Sequence, residues 1–420
     1  MSQKTADVLV IGGGVAGLST ALQLARRGKS VIVLERGQLG SGSTGRAAGL
    51  LGQLRGTAAS TRMLMDGVET VRELEKETGG EIFLQTGSLR VAATPDRAQE
   101  IVDLVEMGKL IDFDIQHLTC DEVHEKLPYM KTEDLLDACY CPTDGHLQPA
   151  ELVASYVKWG RKLGVQYQTQ TPVERVLIEG GRAVGVQTAS GPLYADAVVN
   201  AGGPWSYLVA EMAETVLPTA AIGHVYLTTR PDDAISVDRF SPGVRDRENR
   251  IYSRPEAGGL IVGMYEAEPE QYEMENLPAD FDMALMKAAR DDIHVAMLIY
   301  CAQQRFPWIN ERTPMTVTTG IMTFSPDGKA FCGAFDELSG FFHCSGFSGH
   351  GIVQSPTIGV IMADLVTEGK TDYDLSEIEA DRFYEHPGYL TRDEIRSRCF
   401  EMAGNYYGRV EGKTAGGKAS

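Results

Sequence analysis

The sequence predicts an α/β protein of two domains, one built on a parallel sheet and the other on a mixed or antiparallel sheet. Near the N-terminus, a short apolar strand leads through three glycines into a helix, an order typical of parallel sheets. From residue 216 to about residue 319, apolar and polar residues alternate as they do in antiparallel strands. The chain has 420 residues, which is more than one ordinary domain needs.

Composition and charge limit the function classes. The chain is 43% hydrophobic and 23% charged, and no stretch approaches the roughly 20 apolar residues of a membrane span. Its net charge of −19 argues against nucleic acid or an anionic membrane as a partner. The N-terminus shows no secretion signal and the seven scattered cysteines indicate reduced thiols, so we expect a cytoplasmic protein. Cys139 and Cys141 form a C-x-C pair without a second pair, so no metal site is predicted.

The N-terminal motif is a nucleotide-binding fingerprint. The apolar run VLVI at residues 8–11 is followed by Gly12, Gly14 and Gly17 in a G-x-G-x-x-G spacing, and residues 18–27 repeat apolar side chains at helical intervals. Gly12 permits a tight turn, Gly14 lets the backbone approach a pyrophosphate, and Gly17 lets helix and strand pack closely. The helix N-terminus then offers unpaired N–H groups and a positive dipole end to the phosphates.

A second apolar strand at residues 31–34 ends in Glu35, which is placed to accept hydrogen bonds from a ribose diol. An acidic residue at this point favours a free 2′-hydroxyl over the phosphate of NADP. Strand, glycines, helix, strand and acidic residue come in this order within about thirty residues, which indicates a Rossmann-like dinucleotide site. NAD and FAD both remain open on this evidence.

Two further segments favour FAD. Residues 40–56, GSGSTGRAAGLLGQLRG, form a loop of small residues and cations that suits a backbone wrapped around a long diphosphate and a flavin ring. The alternative is a flexible surface loop, whereas an NAD domain would continue into another βα unit. Residues 346–351, GFSGHG, precede a helix predicted at about residues 355–367, so small residues again open an anion-receptive helix N-terminus.

With these motifs in place, the sequence resembles the FAD-dependent amine oxidoreductase family that includes D-amino-acid oxidase, sarcosine oxidase and the dimethylglycine and sarcosine dehydrogenases. It is most similar to the flavin half of the last two. The matching stretches are residues 8–35, 43–51, 86–89, 142–149, 199–205, 224–228, 251–266, 320–328 and 345–351. The resemblance implies a Rossmann-like FAD-binding domain of the glutathione-reductase type and a mixed or antiparallel substrate domain like that of D-amino-acid oxidase.

The resemblance also implies a domain plan. A discontinuous FAD-binding domain would take residues 1–85, 145–215 and 320–385. A substrate domain would take residues 86–144 and 216–319, with a helical stretch at 283–301. Residues 386–420 would be a C-terminal extension with a disordered end. Residues 383–407, ending in GNYY, resemble the linker that leads into the folate-binding half of the larger dehydrogenases.

The residues that would contact FAD follow from the same matches. By resemblance, the Val173 backbone meets the adenine, and the GFSGHG segment places N–H groups near the pyrimidine edge of the flavin. Trp205 either packs beneath the cofactor or is a buried aromatic residue without a role in chemistry. The full predicted set is Gly12, Gly14, Val15, Ala16, Gly17, Glu35, Arg36, Ser43, Thr44, Arg46, Ala48, Gly49, Leu50, Val173, Ala201, Gly202, Trp205, Gly346, Gly349, His350, Gly351 and Ile352.

The mode of flavin attachment follows from two departures from the family. In dimethylglycine and sarcosine dehydrogenases a histidine carries the flavin covalently, and Arg46 stands at the matching position. In monomeric sarcosine oxidase a cysteine carries it, and Gly320 stands there instead. We therefore expect noncovalent FAD.

The resemblance implies transfer of a hydride equivalent from the carbon next to an amine nitrogen to the flavin, giving an imine that hydrolyses. Tyr252 and Tyr265 are expected to enclose the substrate, and Arg254 to hold a carboxylate or, alternatively, to be a surface residue. His350 would hydrogen-bond the flavin ring or only stabilise its loop. His224 is a weaker candidate for a role in the site.

Two lysines of monomeric sarcosine oxidase are replaced, and the electron acceptor and partners are left open. The lysine that assists oxygen in that enzyme falls on Ile261, and its absence favours a dehydrogenase over an oxidase. Oxidases without this lysine exist, so both O2 and an electron-transfer protein stay open as the electron acceptor. The lysine that holds the substrate carboxylate falls on Val353, which leaves that task to Arg254, Arg55 or no residue. The alternatives are a flavin subunit of a hetero-oligomer and a flavin-binding assembly factor without turnover, and a homo-oligomer is equally compatible.

Overall fold

The structure is a computed structural model that describes residues 4–231, 235–276, 293–384, 389 and 391–408. In these residues the strands are β1 Val8–Ile11, β2 Val31–Leu34, β3 Leu50–Leu51, β4 Phe83–Gln85, β5 Ser88–Ala92, β6 Gln116–Leu118, β7 Asp137–Cys141, β8 Gly145–Leu147, β9 Gln166–Gln168, β10 Val173–Glu179, β11 Arg182–Thr188, β12 Gly191–Tyr194, β13 Ala197–Asn200, β14 Ala220–Thr229, β15 Gly243–Asp246, β16 Ile251–Glu256, β17 Gly259–Met264, β18 Gln271–Tyr272, β19 Met315–Phe324, β20 Phe331–Ala334 and β21 Phe341–Ser345. The helices are α1 Val15–Arg26, α2 Ala58–Thr78, α3 Pro95–Leu110, α4 Cys120–Lys126, α5 Pro149–Lys162, α6 Ser206–Glu211, α7 Ile293–Arg305, α8 Gly351–Glu368 and α9 Arg392–Gly404.

The first sheet has six strands in the order β20-β21-β13-β1-β2-β9, and all neighbours are parallel except β20 and β21. Strands β1, β2 and β13 are buried along their whole length, as expected of apolar strands covered on both faces. Helices α1 and α8 pack together on one face. The antiparallel sheet β10-β11-β12 covers the other face with its own apolar side chains.

The second sheet has nine strands and is mixed. Its path is β18-β14-β17-β16-β15-β5-β7-β6, with β19 paired to β14, and only β15 and β5 run parallel. Helix α7 packs on this sheet through Val295, Leu298 and Ala302. It corresponds to the described part of the helix predicted at residues 283–301, whose residues 283–292 lie outside the described residues. The predicted α/β fold, with one parallel and one mixed sheet, is confirmed.

The chain passes between the two sheets several times. The strands of the second sheet lie within residues 88–141 and 220–324, and those of the first within residues 8–34, 166–200 and 331–345. The return to the first sheet comes after Phe324 and not at the expected residue 320, because all ten residues of β19 pair with β14. A small third sheet has the order β3-β8-β4.

The end of the described chain is a helix packed on the second sheet. Thr391 and Glu394 form a reciprocal capping box that starts α9. The helix buries Ile395 and Cys399 in a cluster with Ile222 of β14. Residues 409–420, the part expected to be disordered, lie outside the described residues.

None of the described helices is long and apolar enough to cross a membrane. Cys139 and Cys141 are both buried, and no group of three or more His, Cys, Asp or Glu side chains in the described part of the chain is placed to hold a metal ion.

Candidate active site

A cavity of about 570 Å³ lies where the two sheets meet. One side is formed by residues at the carboxyl ends of β1, β2 and β13, where ligands bind in open α/β sheets. The other side is formed by residues of β14, β16 and β19. The predicted site residues in its wall are Gly12, Gly14, Val15, Ala16, Glu35, Arg36, Ser43, Thr44, Arg46, Ala48, Gly49, Leu50, Val173, Ala201, Gly202, Trp205, Tyr252, Tyr265, Gly349, His350, Gly351 and Ile352.

The glycine turn brings helix α1 close to strand β13. Gly12 has φ +111°, and a Cβ there would lie 2.3 Å from the carbonyl oxygen of Ala201. Gly17 lies outside the cavity wall. A Cβ on Gly17 would lie 2.0 Å from the carbonyl oxygen of Gly12, so Gly17 acts on the wall through close packing beneath the turn. The N-cap of α1 is Gly14, which has no side chain to cap the helix. Because Gly14 lines the cavity, the N-terminus of α1 faces it.

Glu35 lies at the carboxyl end of β2 and lines the cavity. One carboxylate oxygen accepts a hydrogen bond from the Gly13 N–H at 2.7 Å, and the other accepts one from the Gly37 N–H at 2.7 Å. These bonds fix the carboxylate next to the glycine turn. Each oxygen keeps a further lone-pair site, so the group can also accept hydrogen bonds from a sugar diol.

The loop after β2 supplies the next part of the wall. Thr44 Oγ1 accepts a hydrogen bond from Val15 N–H at 3.2 Å and so ties the loop to the start of α1. The Arg46 guanidinium donates to the carbonyl oxygens of Ser41 and Gly42, and burial lowers its pKa. Gly320 is a direct neighbour of Arg46 in the cavity wall: a Cβ on Gly320 would lie 3.3 Å from the Arg46 Cβ.

A second helix N-terminus points at the same cavity. Helix α8 begins after His350, whose side chain does not cap it. His350 Nδ1 lies 3.1 Å from the Ser348 carbonyl oxygen, which can only accept a hydrogen bond, so Nδ1 carries the proton. Burial, with the charges of Arg55 and Arg245, holds the pKa of His350 well below its ordinary value and keeps the ring neutral. Gly346, at φ +73°, lies outside the wall and packs on Phe331.

These features fit FAD. Two helix N-termini at the cavity wall and a glycine turn too tight for a Cβ suit a diphosphate and an anionic ring edge. A fixed carboxylate on the same wall suits a ribose. The Arg36 guanidinium lies 4.3 Å from the ring centre of Trp205, so both side chains are placed by contact with each other at the cavity wall.

The part of the cavity next to the second sheet is an aromatic chamber, formed by Tyr252, Tyr265, His224 and Tyr407. Ring centres lie 5.8 Å apart for His224 and Tyr252, 5.4 Å for His224 and Tyr265, and 4.4 Å for Tyr265 and Tyr407. Gly263 makes room for this arrangement, since a Cβ there would lie 2.1 Å from the Tyr252 ring and hydroxyl. The predicted pair of tyrosines is therefore brought together, and His224 lies between them and Glu266.

A hydrogen-bonded chain runs from the chamber into the protein. The Tyr252 hydroxyl lies 2.8 Å from His224 Nε2, and His224 Nδ1 lies 3.1 Å from a Glu266 carboxylate oxygen. Glu266 is buried, and its other oxygen accepts the Val225 N–H at 2.9 Å. Because the carboxylate accepts, His224 Nδ1 donates to it and Nε2 accepts from Tyr252. Burial, and secondly the charge of Glu266, raise the pKa of Tyr252 well above its ordinary value, so the phenol stays protonated.

The arginines are placed differently from expectation. Arg254 was expected to hold a carboxylate, but it is buried outside the cavity wall. Its guanidinium donates through Nε and Nη1 to the carbonyl oxygens of Ala48 and Pro255 and to the Glu256 carboxylate. Arg55 is likewise outside the wall and donates to the Leu54 carbonyl oxygen at 2.7 Å.

Arg245 takes the place in the wall that was expected of Arg254. It is paired with Tyr252 across the β15–β16 ladder and therefore shares the cavity face with that tyrosine. In the described part of the chain, no carboxylate or carbonyl accepts a hydrogen bond from its guanidinium. Arg55 and Arg90 both donate to the Leu54 carbonyl oxygen, and both act with Arg245 on the His350 ring, so three cations lie near this end of the cavity. The buried Asp144 carboxylate is close to Arg245, since a Cβ on Gly52 would lie 2.8 Å from an Arg245 nitrogen and 3.4 Å from an Asp144 oxygen.

Known proteins are similar to this chain over almost its whole length. The chain is 31% identical to human sarcosine dehydrogenase over 419 residues and 29% identical to 4-methylaminobutanoate oxidase (formaldehyde-forming) of Paenarthrobacter nicotinovorans over 401 residues. It is 28% identical to the mouse pyruvate dehydrogenase phosphatase regulatory subunit. These alignments cover 97%, 95% and 94% of this chain, but 44%, 48% and 45% of the three relatives, so the chain spans less than half of their length.

Among solved structures, the L-proline dehydrogenase of P. horikoshii superposes with a TM-score of 0.81 at 26% identity, covering 91% of this chain and 99% of that one. The sequence profile of the family described as FAD dependent oxidoreductase matches residues 7–365, which include both sheets and the cavity between them. The chain therefore belongs to the FAD-dependent oxidoreductase family of D-amino-acid oxidase.

Proposed function

We propose that this chain uses noncovalent FAD to oxidise the C–H bond next to the nitrogen of an amine that also carries a carboxylate. The proposal depends mainly on the hydrogen-bonded chain Tyr252–His224–Glu266. This chain ends in the same cavity as the dinucleotide cradle, by which we mean Gly12, Gly14 and Glu35. The relatives named as a sarcosine dehydrogenase and a 4-methylaminobutanoate oxidase support an N-methyl or other secondary or tertiary amine, or an amino acid.

FAD, when bound, supplies the acceptor for the hydride equivalent. The turn at Gly12 and Gly14 and the N-terminus of α1 would hold its diphosphate, and Glu35 its ribose. The N-terminus of α8, beginning after His350, would stabilise negative charge on the ring.

The protein's first chemical task is to deliver a neutral amine. Tyr252 can take a proton from a substrate ammonium as its own proton passes to His224 Nε2, which lies 2.8 Å away. The Glu266 carboxylate then stabilises the imidazolium through Nδ1. Tyr252 returns to its neutral form in the same step, in keeping with its raised pKa.

The second task is to orient the substrate. Arg245 presents a guanidinium to the cavity, and a substrate carboxylate can bind it in a bidentate manner. The neighbouring positive charges of Arg55 and Arg90 favour an anion at this end of the cavity. With the carboxylate fixed at Arg245 and the amine next to Tyr252, the carbon attached to nitrogen is held between the two groups.

Noncovalent attachment is part of the proposal. Arg46 and Gly320 face each other in the cavity wall, and neither side chain has the imidazole or thiol that forms a flavin bond in the related enzymes. Acid precipitation should release the flavin into the supernatant and leave a colourless pellet. A yellow pellet would contradict this part of the proposal.

The test of the function is anaerobic mixing of the FAD-loaded chain with secondary and tertiary amino acids and with their decarboxylated amines. We expect the flavin absorption band to bleach with the carboxylated amines at lower concentrations than with the amines alone. Absence of bleaching with every compound would contradict the proposal.

A second candidate function is a flavin-binding subunit without turnover of its own. The likeness to a phosphatase regulatory subunit over 94% of the chain favours keeping it in the same experiment. Bleaching that needs both the amine and an added cell extract, and that extract without the amine does not produce, would indicate that oxidation requires a partner subunit. Bleaching by the purified chain alone would exclude this candidate, and the response to air would then decide between O2 and an electron-transfer protein as acceptor.

A further inference from the structure

The last described residues of the chain lie against the aromatic chamber and are held there by arginines. Helix α9 ends at Gly404, and in the segment of residues 404–408 three carbonyl oxygens each accept a hydrogen bond from a different arginine. The three bonds run from Arg250 to Gly404, from Arg247 to Tyr406 and from Arg97 to Tyr407.

Two of these arginines share one buried carboxylate. Glu100 accepts from Arg97 at 2.7 Å and from Arg247 at 2.5 Å, and the three side chains are 5%, 9% and 12% exposed. Burial of charges is costly unless they are paired and hydrogen-bonded. The Tyr407 carbonyl, 2.6 Å from an Arg97 nitrogen, completes this network, so the position of the segment is coupled to that of helix α3.

Close packing fixes the segment from the other side. A Cβ on Gly404 would lie 2.4 Å from the carbonyl oxygen of Ala267, which comes directly after Tyr265 and Glu266 in the chain. A Cβ on Gly328 would lie 2.9 Å from the Tyr406 ring. Helix α9 and the residues after it therefore approach the second sheet at backbone contact distance.

The anchored segment places two tyrosines on the site. The Tyr407 ring lines the cavity, and its centre is 4.4 Å from that of Tyr265. The Tyr406 ring lies 4.9 Å from Tyr265, and its hydroxyl lies 3.3 Å from His350 Nδ1. Tyr407 thus lines the chamber next to Tyr265, and Tyr406 contacts the two wall residues Tyr265 and His350.

We infer that Tyr407 is a specificity-determining residue, which limits the size of the group on the substrate nitrogen. This inference rests on the proposed function. The substrate is bounded by Arg245 at its carboxylate and by Tyr252 at its amine, so the remaining substituent on nitrogen extends toward Tyr265 and Tyr407. In this arrangement a ring on the nitrogen substituent would meet the Tyr407 phenol, whereas a methyl group would not reach it.

The test compares N-methylglycine with N-benzylglycine on the FAD-loaded protein and its Tyr407→Ala variant. The phenol removed is about as large as the phenyl ring added to the substrate. We expect the ratio of kcat/KM for the benzyl over the methyl compound to rise at least about tenfold, since even one methylene in an apolar pocket changes kcat/KM by a factor of about 10–200. Tyr407→Phe should leave the ratio at the parent value. Tyr384→Ala, which removes an exposed tyrosine bound to Glu337 far along the surface, controls for a general effect of losing a tyrosine.

An unchanged ratio in a folded, FAD-loaded Tyr407→Ala protein would overturn the inference. If that variant does not retain FAD, Tyr407→Leu keeps an apolar contact with Tyr265 and should show a smaller rise, and no rise would count against the inference. If the FAD-loaded parent protein oxidises neither of these two compounds nor any other carboxylated amine, the proposed function fails. Titration of the flavin absorption band with the same two ligands then still measures whether Tyr407→Ala gains binding of the benzyl compound.

Discussion

Replacement of Glu266 by Gln perturbs the hydrogen-bonded chain while preserving its shape. Glu266 accepts from the Val225 N–H at 2.9 Å and from His224 Nδ1 at 3.1 Å. An amide has only one acceptor oxygen, and the Val225 N–H can only donate, so the amide NH2 would face His224. Nδ1 would then have to accept, and the ring proton would move to Nε2, next to the Tyr252 hydroxyl.

This change of tautomer removes the acceptor for the Tyr252 proton and the negative charge that stabilises the imidazolium. A hydrogen bond to a charged group contributes about 1.5–3 kcal/mol. At about 1.36 kcal/mol for each factor of ten, the rate constant for flavin reduction should fall about 10- to 150-fold. The assay is anaerobic stopped-flow measurement of flavin bleaching at saturating substrate.

Glu256→Gln is the matched control, because Glu256 also accepts a hydrogen bond through its carboxylate but pairs with Arg254 outside the cavity wall. It should leave the rate constant near that of the parent. A Glu266→Gln protein that binds FAD, melts at the parent temperature and reduces its flavin at the parent rate would refute the proposed relay.

Three further predictions follow from the same geometry. Arg245→Met should raise KM for carboxylated amines by about 10- to 100-fold and leave the denaturation midpoint unchanged. Arg254→Met should instead lower the free energy of unfolding by about 2 kcal/mol or more, because the acceptors of Arg254 lose their donor. Steady-state kinetics and urea unfolding distinguish the two. Gly17→Ala, with a Cβ 2.0 Å from the Gly12 carbonyl oxygen, should yield protein that retains less than a tenth of its FAD after gel filtration. His343 is buried, and burial lowers its pKa from 6.5 to about 3. Between these values the unfolded chain binds more protons, so the free energy of unfolding should fall by about 1.4 kcal/mol per pH unit as the pH drops below 6.5, and His343→Leu should flatten this slope in urea titrations.

The dinucleotide cradle could be predicted from sequence because its parts are local. Gly12, Gly14 and Glu35 occur within one strand–helix–strand unit, so their spacing along the chain already indicates how they are arranged. The fold class followed from the same unit and from the alternating segments. The FAD contacts themselves stay predictions, supported by the place of these residues in the cavity wall.

The substrate side depended on contacts that a sequence pattern does not contain. Alternation along β16 correctly puts Tyr252 and Arg254 on one face, but the loop carrying Ala48 covers Arg254 and takes its hydrogen bonds. Arg245 enters the cavity because the β15–β16 hairpin pairs it with Tyr252, a register that the turn between the strands determines. Tyr407 could not be found by pattern, since it reaches the chamber from the far end of the chain through backbone contacts with arginines.

The most direct test of amine oxidation by this chain is anaerobic mixing of the FAD-loaded protein with one equivalent of N-methylglycine, unlabelled or deuterated on the carbons attached to nitrogen. The account predicts complete bleaching of the flavin band, one equivalent of aldehyde or oxo acid after hydrolysis, and slower bleaching with the deuterated compound. A flavin band that stays unchanged with this and other carboxylated amines, in protein shown to contain FAD, would contradict the account.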